Sequence, residues 1–260
     1  MELSGKTFMV TGAAGGIGGA ICAALDAQGA NLLLVGRNRA NLETLSSKFK
    51  GNAQVLDADL SDDQAIQALS QRVAETGGID GVVNVAGVMD FNLFERQDAA
   101  CLNQLFTVNA LAPMKLTQAL LPELQKKTQA LVVNVGSIFG SIGHPGFVAY
   151  CASKAALASF SQGLARELAD GPVSVLYVAP RAVATDFNTA AINALNAELG
   201  NAADDPERVA AAVVAAIQGE IPVTYMGWPE KLFVRLNALL TSVVTSALVK
   251  KLPVVKKHLA

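Results

Sequence analysis

Residues 6–25 read KTFMVTGAAGGIGGAICAAL, in which an apolar run leads through a glycine-rich turn into small apolar residues. The run Lys6–Thr11 predicts a buried strand, and Ile21, Ala24 and Leu25 recur at the spacing of one helix face. Glycines between a strand and a helix allow a tight turn and let a phosphate approach the N–H groups at the helix N-terminus. The stretch therefore predicts a nucleotide-binding strand–turn–helix unit.

The rest of the chain repeats this alternation of strand and helix. Strands of nearly unbroken Val, Leu and Ile between helices are typical of a parallel sheet covered on both faces. We therefore predict an α/β fold, a Rossmann-type doubly wound parallel sheet of about seven strands with helices on both faces. The further strands are expected at Asn31–Gly36, Ala53–Asp57, Gly81–Ala86, Ala130–Val135, Val173–Val178 and Pro222–Met226. The further helices are expected at Arg39–Lys50, after an N-cap at Ser61, and at Asp98–Leu124, Phe147–Ala169, Pro206–Ile217 and 230–251.

The chain has 260 residues, 52% of them hydrophobic, and a formal net charge of -2. This composition supports a large core and gives no basic excess for nucleic acid. The cysteines, Cys22, Cys101 and Cys151, have no C-x-x-C spacing and are odd in number, which argues against a disulfide framework. No apolar signal region opens the sequence, so we expect a cytoplasmic protein. No metal site is predicted.

Tyr150 and Lys154 are four residues apart, and on a helix they share one face. A neighbouring ammonium favours phenolate and so lowers the pKa of a tyrosine. A general acid works best when its pKa lies near the working pH. The pair therefore indicates a tyrosine that exchanges a proton, although two surface residues on one helix are the alternative.

The second strand ends at Gly36-Arg37-Asn38-Arg39, with no acidic residue. An NAD site usually has an acidic residue there to accept from the ribose 2′-hydroxyl, whereas an NADP site needs a cation. The guanidinium of Arg37 can bind a phosphate through two donors. We therefore predict NADP(H) in preference to NAD(H), with solvated residues at a helix start as the alternative.

Together these motifs resemble the short-chain dehydrogenase/reductase family over roughly residues 5–228. The matching motifs occur in the family's order: Thr11–Gly18, Asp59, Asn84-Val-Ala-Gly87, Asn109, Ser137, Tyr150–Lys154 and Pro180…Thr185. The resemblance implies a catalytic set of Asn109, Ser137, Tyr150 and Lys154. In it, Tyr150 is the general acid and base, Ser137 holds the substrate oxygen, Lys154 binds the nicotinamide ribose and lowers the pKa of Tyr150, and Asn109 anchors a water.

The resemblance also implies a set of cofactor-binding residues: Gly12, Gly15, Gly16, Ile17, Gly18, Arg37, Asp59, Leu60, Asn84, Ala86, Gly87, Tyr150, Lys154, Pro180, Val183 and Thr185. Asp59 would accept from the adenine amino group, and Thr185 would contact the carboxamide. A purely structural role for Asn84 is left open. The chain departs from the family pattern where Val85 replaces an Asn and Arg181 replaces a Gly. We expect Arg181 to point to solvent, with contact to an anionic substrate as the alternative.

The substrate pocket is predicted from aromatic residues beside these motifs. The candidates are Phe91, Phe139, His144, Phe147 and Phe187, with a lid over about residues 186–205. Pro145 follows His144 directly, which favours an exposed turn for this histidine. The aromatic lining predicts an apolar, medium-sized carbonyl or alcohol as substrate.

We therefore expect an NADP(H)-dependent oxidoreductase that interconverts a carbonyl and a secondary alcohol, in one domain over 1–228. The resemblance implies a homodimer or homotetramer. Residues 229–260 are predicted to form an apolar helix packed on the domain or in an interface, because Leu232–Val249 is almost wholly apolar. Lysines flank that run, so a membrane-associated reductase of a lipid-like ketone or aldehyde is an alternative, with membrane contact through 230–257. The second alternative is a non-catalytic NADPH-binding sensor or scaffold.

Overall fold

A computed structural model describes residues 1–259. One sheet of seven parallel strands runs through the molecule, in the order β3-β2-β1-β4-β5-β6-β7. The strands are β1 Thr7–Thr11, β2 Asn31–Gly36, β3 Ala53–Asp57, β4 Gly81–Asn84, β5 Ala130–Val135, β6 Val173–Ala179 and β7 Val223–Tyr225. The predicted doubly wound α/β fold is confirmed.

Ten α-helices connect and follow the strands. They are α1 Gly16–Asp26, α2 Arg39–Ser46, α3 Asp63–Glu75, α4 Ala99–Phe106, α5 Ala112–Leu124, α6 Val148–Glu167, α7 Ala190–Glu198, α8 Pro206–Gly219, α9 Glu230–Leu239 and α10 Thr241–Lys257. Helices α1 and α8 cover one apolar face of the sheet. Helices α3 and α5 cover the other. Burial of both faces explains why the strands are apolar almost throughout.

The strand order reverses beside β1, which pairs with β2 on one side and with β4 on the other. The connections that leave β1 and β4 therefore go to opposite faces of the sheet. The divergence opens a crevice beyond the carboxyl ends of these strands, where doubly wound sheets bind ligands. The sequence motifs lie around this crevice.

One predicted helix boundary is wrong. The N-cap of α3 is Asp62, whose side chain accepts from the N–H of Gln64, while Ser61 is bound to Asp59. The long helical region predicted over Asp98–Leu124 is present, with Asp98 as its N-cap and a π-helical turn at Thr107–Leu111 within it. Apolar spacing reports neither the cap of α3 nor the π-helical turn, because both depend on local hydrogen bonds.

The C-terminal region forms two helices, where the sequence predicted one. The backbone of Leu240 leaves the helical conformation between α9 and α10. The bend lets Val234 of α9 and Val244 of α10 both pack against Ile138 and Ile142. Within residues 1–259, no helix combines the length and apolar character that a bilayer span requires.

Candidate active site

The turn between β1 and α1 is closed by contacts that only glycine permits. Gly12 has a φ of 63°, and a Cβ there would lie 2.9 Å from the Cα of Ala86. A Cβ on Gly18 would collide with the carbonyl of Gly12. In the described part of the chain no group accepts from the backbone N–H of Gly16, Ile17 or Gly18. The N-terminus of α1 thus has three unused donors, which fits a pyrophosphate.

The segment after β6 lies against this turn. Thr185 packs its methyl group over Gly16. The Pro180 carbonyl accepts from the N–H of Ile138 at 3.0 Å, which joins the ends of β5 and β6. Val183 forms a parallel bridge to Asp204, at the end of the segment predicted to be a lid. The predicted contacts of Pro180, Val183 and Thr185 with a cofactor remain predictions.

Two arginines follow β2, and they differ in their partners. Arg39 is held by Asp57 at 2.7 Å and by Glu43 at 2.8 Å. Arg37 is exposed and has no ion pair or side-chain hydrogen bond within residues 1–259. Hydrogen bonds from Ser61, with a smaller contribution from the nearby Arg37, hold the pKa of Asp59 below its usual range. Arg37 is therefore the unengaged cation at this rim.

The loop after β4 is hydrogen-bonded to the end of β1. The Thr11 hydroxyl accepts from the N–H of Val85 at 3.0 Å and from that of Ala86 at 3.2 Å. Asn84 instead lies within the sheet layer, where its Nδ2 donates to Oδ1 of Asn134 at 2.8 Å. These contacts favour the structural role that the sequence left open for Asn84. Thr11 is a supporting residue whose role the sequence did not predict.

Asn109 lies in the π-helical turn, which aims its side chain at the loop after β4. Its amide donates to the Val88 carbonyl and accepts from the Val88 N–H, both at 2.8 Å. It also donates at 3.0 Å to the Ser153 hydroxyl, which donates to the Tyr150 carbonyl at 2.8 Å. A Cβ on Gly87 would lie 3.1 Å from Oδ1 of Asn109 and 3.4 Å from Nζ of Lys154. Asn109 thus joins the loop after β4 to α6.

Tyr150 and Lys154 are both buried on α6. Nζ of Lys154 lies 6.0 Å from the centre of the Tyr150 ring and donates to the Val135 carbonyl at 3.4 Å. Burial lowers the pKa of Lys154 to about 8. Burial raises the pKa of Tyr150 well above its ordinary value, and the adjacent Ser137 hydroxyl offsets only part of the rise. The prediction of a lowered Tyr150 pKa is therefore wrong for this structure, because loss of water around the phenol outweighs its neighbours.

Ser137 is positioned by a residue that the sequence analysis missed. The buried Tyr177 hydroxyl donates to the Ser137 carbonyl at 3.2 Å and accepts from the Ser137 N–H at 3.4 Å. The Ser137 hydroxyl accepts from the N–H of Phe139 at 3.1 Å. In the sequence Tyr177 lies among apolar residues of β6, so nothing distinguishes it from a core aromatic residue.

A cavity of about 120 Å³ opens in front of Tyr150. Of the predicted pocket residues, it is lined by Phe139, His144, Phe147 and Phe187. The fifth, Phe91, lies behind Phe147, and their ring centres are 4.7 Å apart. Helix α7, in the predicted lid, contributes further apolar lining. Four of the five predicted pocket residues therefore surround one space.

Two expectations about polar residues are wrong. His144 is buried, its ring stacks on Phe139 at 5.2 Å, and Nδ1 is bonded to the Pro145 carbonyl at 2.8 Å. Burial lowers the pKa of His144. Arg181 does not point to solvent, because Nη2 and Nε bind the two carboxylate oxygens of Asp204 at 2.8 and 3.0 Å. Glu230 is a second partner of Arg181, at 3.3 Å.

The model of the short chain dehydrogenase family matches residues 6–196. The chain belongs to this family. Short-chain dehydrogenases are oxidoreductases, so the protein is an enzyme of that class, and the resemblance read from its motifs is confirmed.

Curated relatives support the assignment. Nodulation protein G of Rhizobium sp. (strain N33) is 38% identical over 180 residues, which is 69% of this chain and 74% of the relative. The 3-oxoacyl-(acyl-carrier-protein) reductase FabG of Escherichia coli (strain K12) is 32% identical over 191 residues, 73% of this chain and 78% of the relative.

Solved structures show the same fold. A short-chain dehydrogenase from Streptomyces avermitilis superimposes with a TM-score of 0.82 at 29% identity, and the match covers 98% of this chain and 99% of that one. A short-chain dehydrogenase from Burkholderia cenocepacia, in complex with NADP, gives 0.83 at 22% identity over 95% and 99% of the two chains. One from Burkholderia phymatum, in complex with NAD, gives 0.84 at 22% identity over 94% and 96%.

Proposed function

We propose that this short-chain dehydrogenase interconverts a carbonyl and a secondary alcohol on an apolar small molecule, with NADP(H) as cofactor and Tyr150 as general acid and base. The observation that carries the proposal is the arrangement of Tyr150, Ser137 and Lys154. All three are buried together, and Tyr150 and Ser137 line the apolar cavity of about 120 Å³. A carbonyl oxygen placed there would meet two hydroxyl groups.

The state of Tyr150 suits proton donation. The phenol of Tyr150 is protonated at neutral pH and so has a proton to give to the oxygen as a carbonyl is reduced, although burial makes it a weaker acid than a tyrosine in water. Ser137 already accepts from the Phe139 N–H, which leaves its own proton for the same oxygen. Such a donor contributes roughly 3–4 kcal/mol when it is aimed at developing charge. When bound, the nicotinamide supplies or takes up the hydride.

The residues around the crevice fit a dinucleotide. The unused donors of α1 would hold the pyrophosphate, Asp59 the adenine, and Lys154 the nicotinamide ribose. Arg37 carries the preference for NADP(H), because it is exposed and unpaired within residues 1–259 at the end of β2, where a 2′-phosphate would lie. The solved structures include one with NAD and one with NADP, so this preference depends on Arg37 alone.

The test is the oxidation of NADPH and NADH by the purified protein across a panel of apolar ketones and aldehydes. We expect turnover with NADPH, and a lower KM for NADPH than for NADH. Turnover with a clear preference for NADH would contradict the cofactor assignment. If no carbonyl or alcohol is turned over while NADPH still binds, the non-catalytic sensor or scaffold is the better account.

A membrane-associated reductase is the second candidate, and the charge of the C-terminal region favours it. Residues 231–260 contain six of the chain's 20 Lys and Arg residues and none of its 22 Asp and Glu residues. Trp228 and Leu239 are 74% and 82% exposed. Exposed apolar side chains among cations suit an anionic lipid surface. Sedimentation with anionic and with neutral vesicles tests this: binding only to the anionic ones supports it, and no binding to either contradicts it.

We further propose that the enzyme is a homodimer or homotetramer that pairs through α6 and the helices around Asn109. A shallow surface groove along α6 is lined by the small residues Ala155, Ala158 and Ser159, which permit a second helix to approach closely. Leu111 in the π-helical turn and Val148 at the start of α6 are also exposed. Light scattering tests the assembly, and a monomer at micromolar concentration would contradict it.

A further inference from the structure

A second and larger cavity, of about 470 Å³, lies behind the proposed active-site pocket. We call it the rear chamber. Its walls come from α9, α10, the residues before α9 and the loop 200–202. Helices α9 and α10 lie outside the motifs that define the family, and the match to the family model ends at residue 196.

The rear chamber adjoins the active-site pocket and shares part of its wall. Both cavities are lined by Ile138, Phe139, His144 and Arg181. The partition between them is the stacked pair Phe139–His144, whose ring centres are 5.2 Å apart. Phe139 also packs with its edge toward Tyr150, at 6.4 Å between ring centres. A molecule whose carbonyl lies at Tyr150 would therefore reach the rear chamber across this shared wall, with movement of the Phe139 and His144 rings.

The lining of the rear chamber is mainly apolar. Trp228, Phe233, Val244 and Leu248 provide most of the hydrophobic wall. The charge of Arg181 is offset by Asp204 and Glu230. Lys251 is half-buried and lacks an ion pair within residues 1–259, and its aliphatic stem can line the wall while its ammonium reaches water. The chamber thus offers a mainly apolar surface, although Trp228 is 74% exposed and leaves one side open to water, and Asn196, Asn201 and Glu230 add polar groups.

We propose that the rear chamber binds the unbranched hydrocarbon chain of the substrate, while the carbonyl of the same molecule lies between Ser137 and Tyr150. This inference rests on the proposed carbonyl reduction and adds the class of substrate, a long-chain aliphatic ketone. The pocket in front of Tyr150 is the smaller of the two cavities, at about 120 Å³ against about 470 Å³, and so offers less room for such a chain. The wall that the two cavities share at Phe139 and His144 favours one molecule that reaches into both over an independent ligand.

The first test is a series of straight-chain methyl ketones of increasing length, assayed with NADPH. Each methylene that enters the chamber should raise kcat/KM by about fourfold, the equivalent of ~0.8 kcal/mol per buried CH₂. The increase should stop when the chamber is full. A profile that is flat from the shortest ketone upward would overturn the inference.

The second test uses substitutions that fill part of the rear chamber. Ala247→Phe on α10 and Ala202→Phe on the opposite wall place a ring inside it. Each should lower the ratio of kcat/KM for long over short ketones by at least tenfold. Ser246→Phe is the matched control, because Ser246 is the adjacent exposed residue on α10 and does not line the chamber. The ratio should stay at the wild-type value in the control. An unchanged ratio in folded Ala247→Phe and Ala202→Phe proteins would refute the chamber as a chain site.

The two proposals fail in different ways. If no ketone of any length is reduced, the proposed function is wrong. If short ketones are reduced but added chain length and the filled chamber change nothing, the enzyme assignment stands and the rear chamber is not a substrate site.

Discussion

The hydroxyl of Tyr177 donates to the carbonyl of Ser137 at 3.2 Å and accepts from its N–H at 3.4 Å. One side chain from β6 therefore satisfies both backbone polar groups of the residue that would hold the substrate oxygen. Because Tyr177 is buried, this pairing fixes the backbone from which the Ser137 side chain projects.

Tyr177→Phe should remove both bonds with little change in shape. The two buried backbone groups lose their partner, at a cost of about 1–3 kcal/mol in the free energy of unfolding. A misplaced reacting group should lower kcat by about tenfold, while KM for NADPH changes little. Urea unfolding and steady-state kinetics check this. Tyr225→Phe is the control, because it removes only the 3.1 Å bond to Ser141. Equal kcat in the two variants would contradict a positioning role.

Asp204→Asn should be strongly destabilising. Asp204 is buried between Arg181 and Arg208, and these partners hold the pKa of its carboxyl below 3.8. The ion pairs therefore stabilise the protein fully above about pH 3.8, and that stability is lost only as pH falls further. Removal of the charge should cost about 3–5 kcal/mol at neutral pH. Asp205→Asn, at the next, exposed position, should change the free energy of unfolding little in the same assay.

His144 should make stability depend on pH. Burial lowers its pKa from 6.5, so below that pH the unfolded chain binds more protons than the folded protein. The free energy of unfolding should therefore decrease as pH falls below about 6.5, by up to ~1.4 kcal/mol per pH unit, until the folded pKa is passed. His144→Gln should flatten this slope. Equal slopes in wild type and His144→Gln would contradict the account.

Arg37→Gln should weaken the binding of NADPH without affecting the binding of NADH. If Arg37 binds the 2′-phosphate, its loss removes a charge-assisted contact of about 1.5–3 kcal/mol, which is roughly a 10- to 100-fold rise in KM for NADPH. Arg39→Gln is the control, because that guanidinium is already bound to Asp57 and Glu43. A rise of equal size in both variants, or in KM for NADH, would show that Arg37 is not the selective residue.

The sequence was sufficient to predict the fold and to predict that several of the motif residues lie close together. Strands that are apolar throughout, such as Ala130–Val135, predict a parallel sheet because both of its faces are buried. The turn Gly12–Gly18 can be recognised in the sequence because its conformation leaves no room for a side chain at Gly12 or Gly18, so both positions are glycine. The spacing of Tyr150 and Lys154 places them together because they occupy one helix.

The sequence failed where the outcome depended on distant partners. The direction of the Arg181 side chain is set by its hydrogen bonds to Asp204, 23 positions later, and to Glu230, 49 positions later. His144 is buried against the rings of Phe139 and Phe147, and these contacts follow from the fold of the loop rather than from sequence spacing. The pKa of Tyr150 depends on how completely its neighbours exclude water, and a four-residue spacing carries no information about this.

In the proposed reaction the Tyr150 hydroxyl transfers the proton to the oxygen of the carbonyl. Tyr150→Phe removes that hydroxyl and leaves the ring packed against Phe139. The most direct measurement is the single-turnover rate of NADPH oxidation by a reducible ketone, with NADPH affinity measured in parallel by fluorescence. The account predicts that the rate falls by at least ~10²-fold while the Kd for NADPH stays near that of the wild type. A wild-type rate in Tyr150→Phe would contradict it.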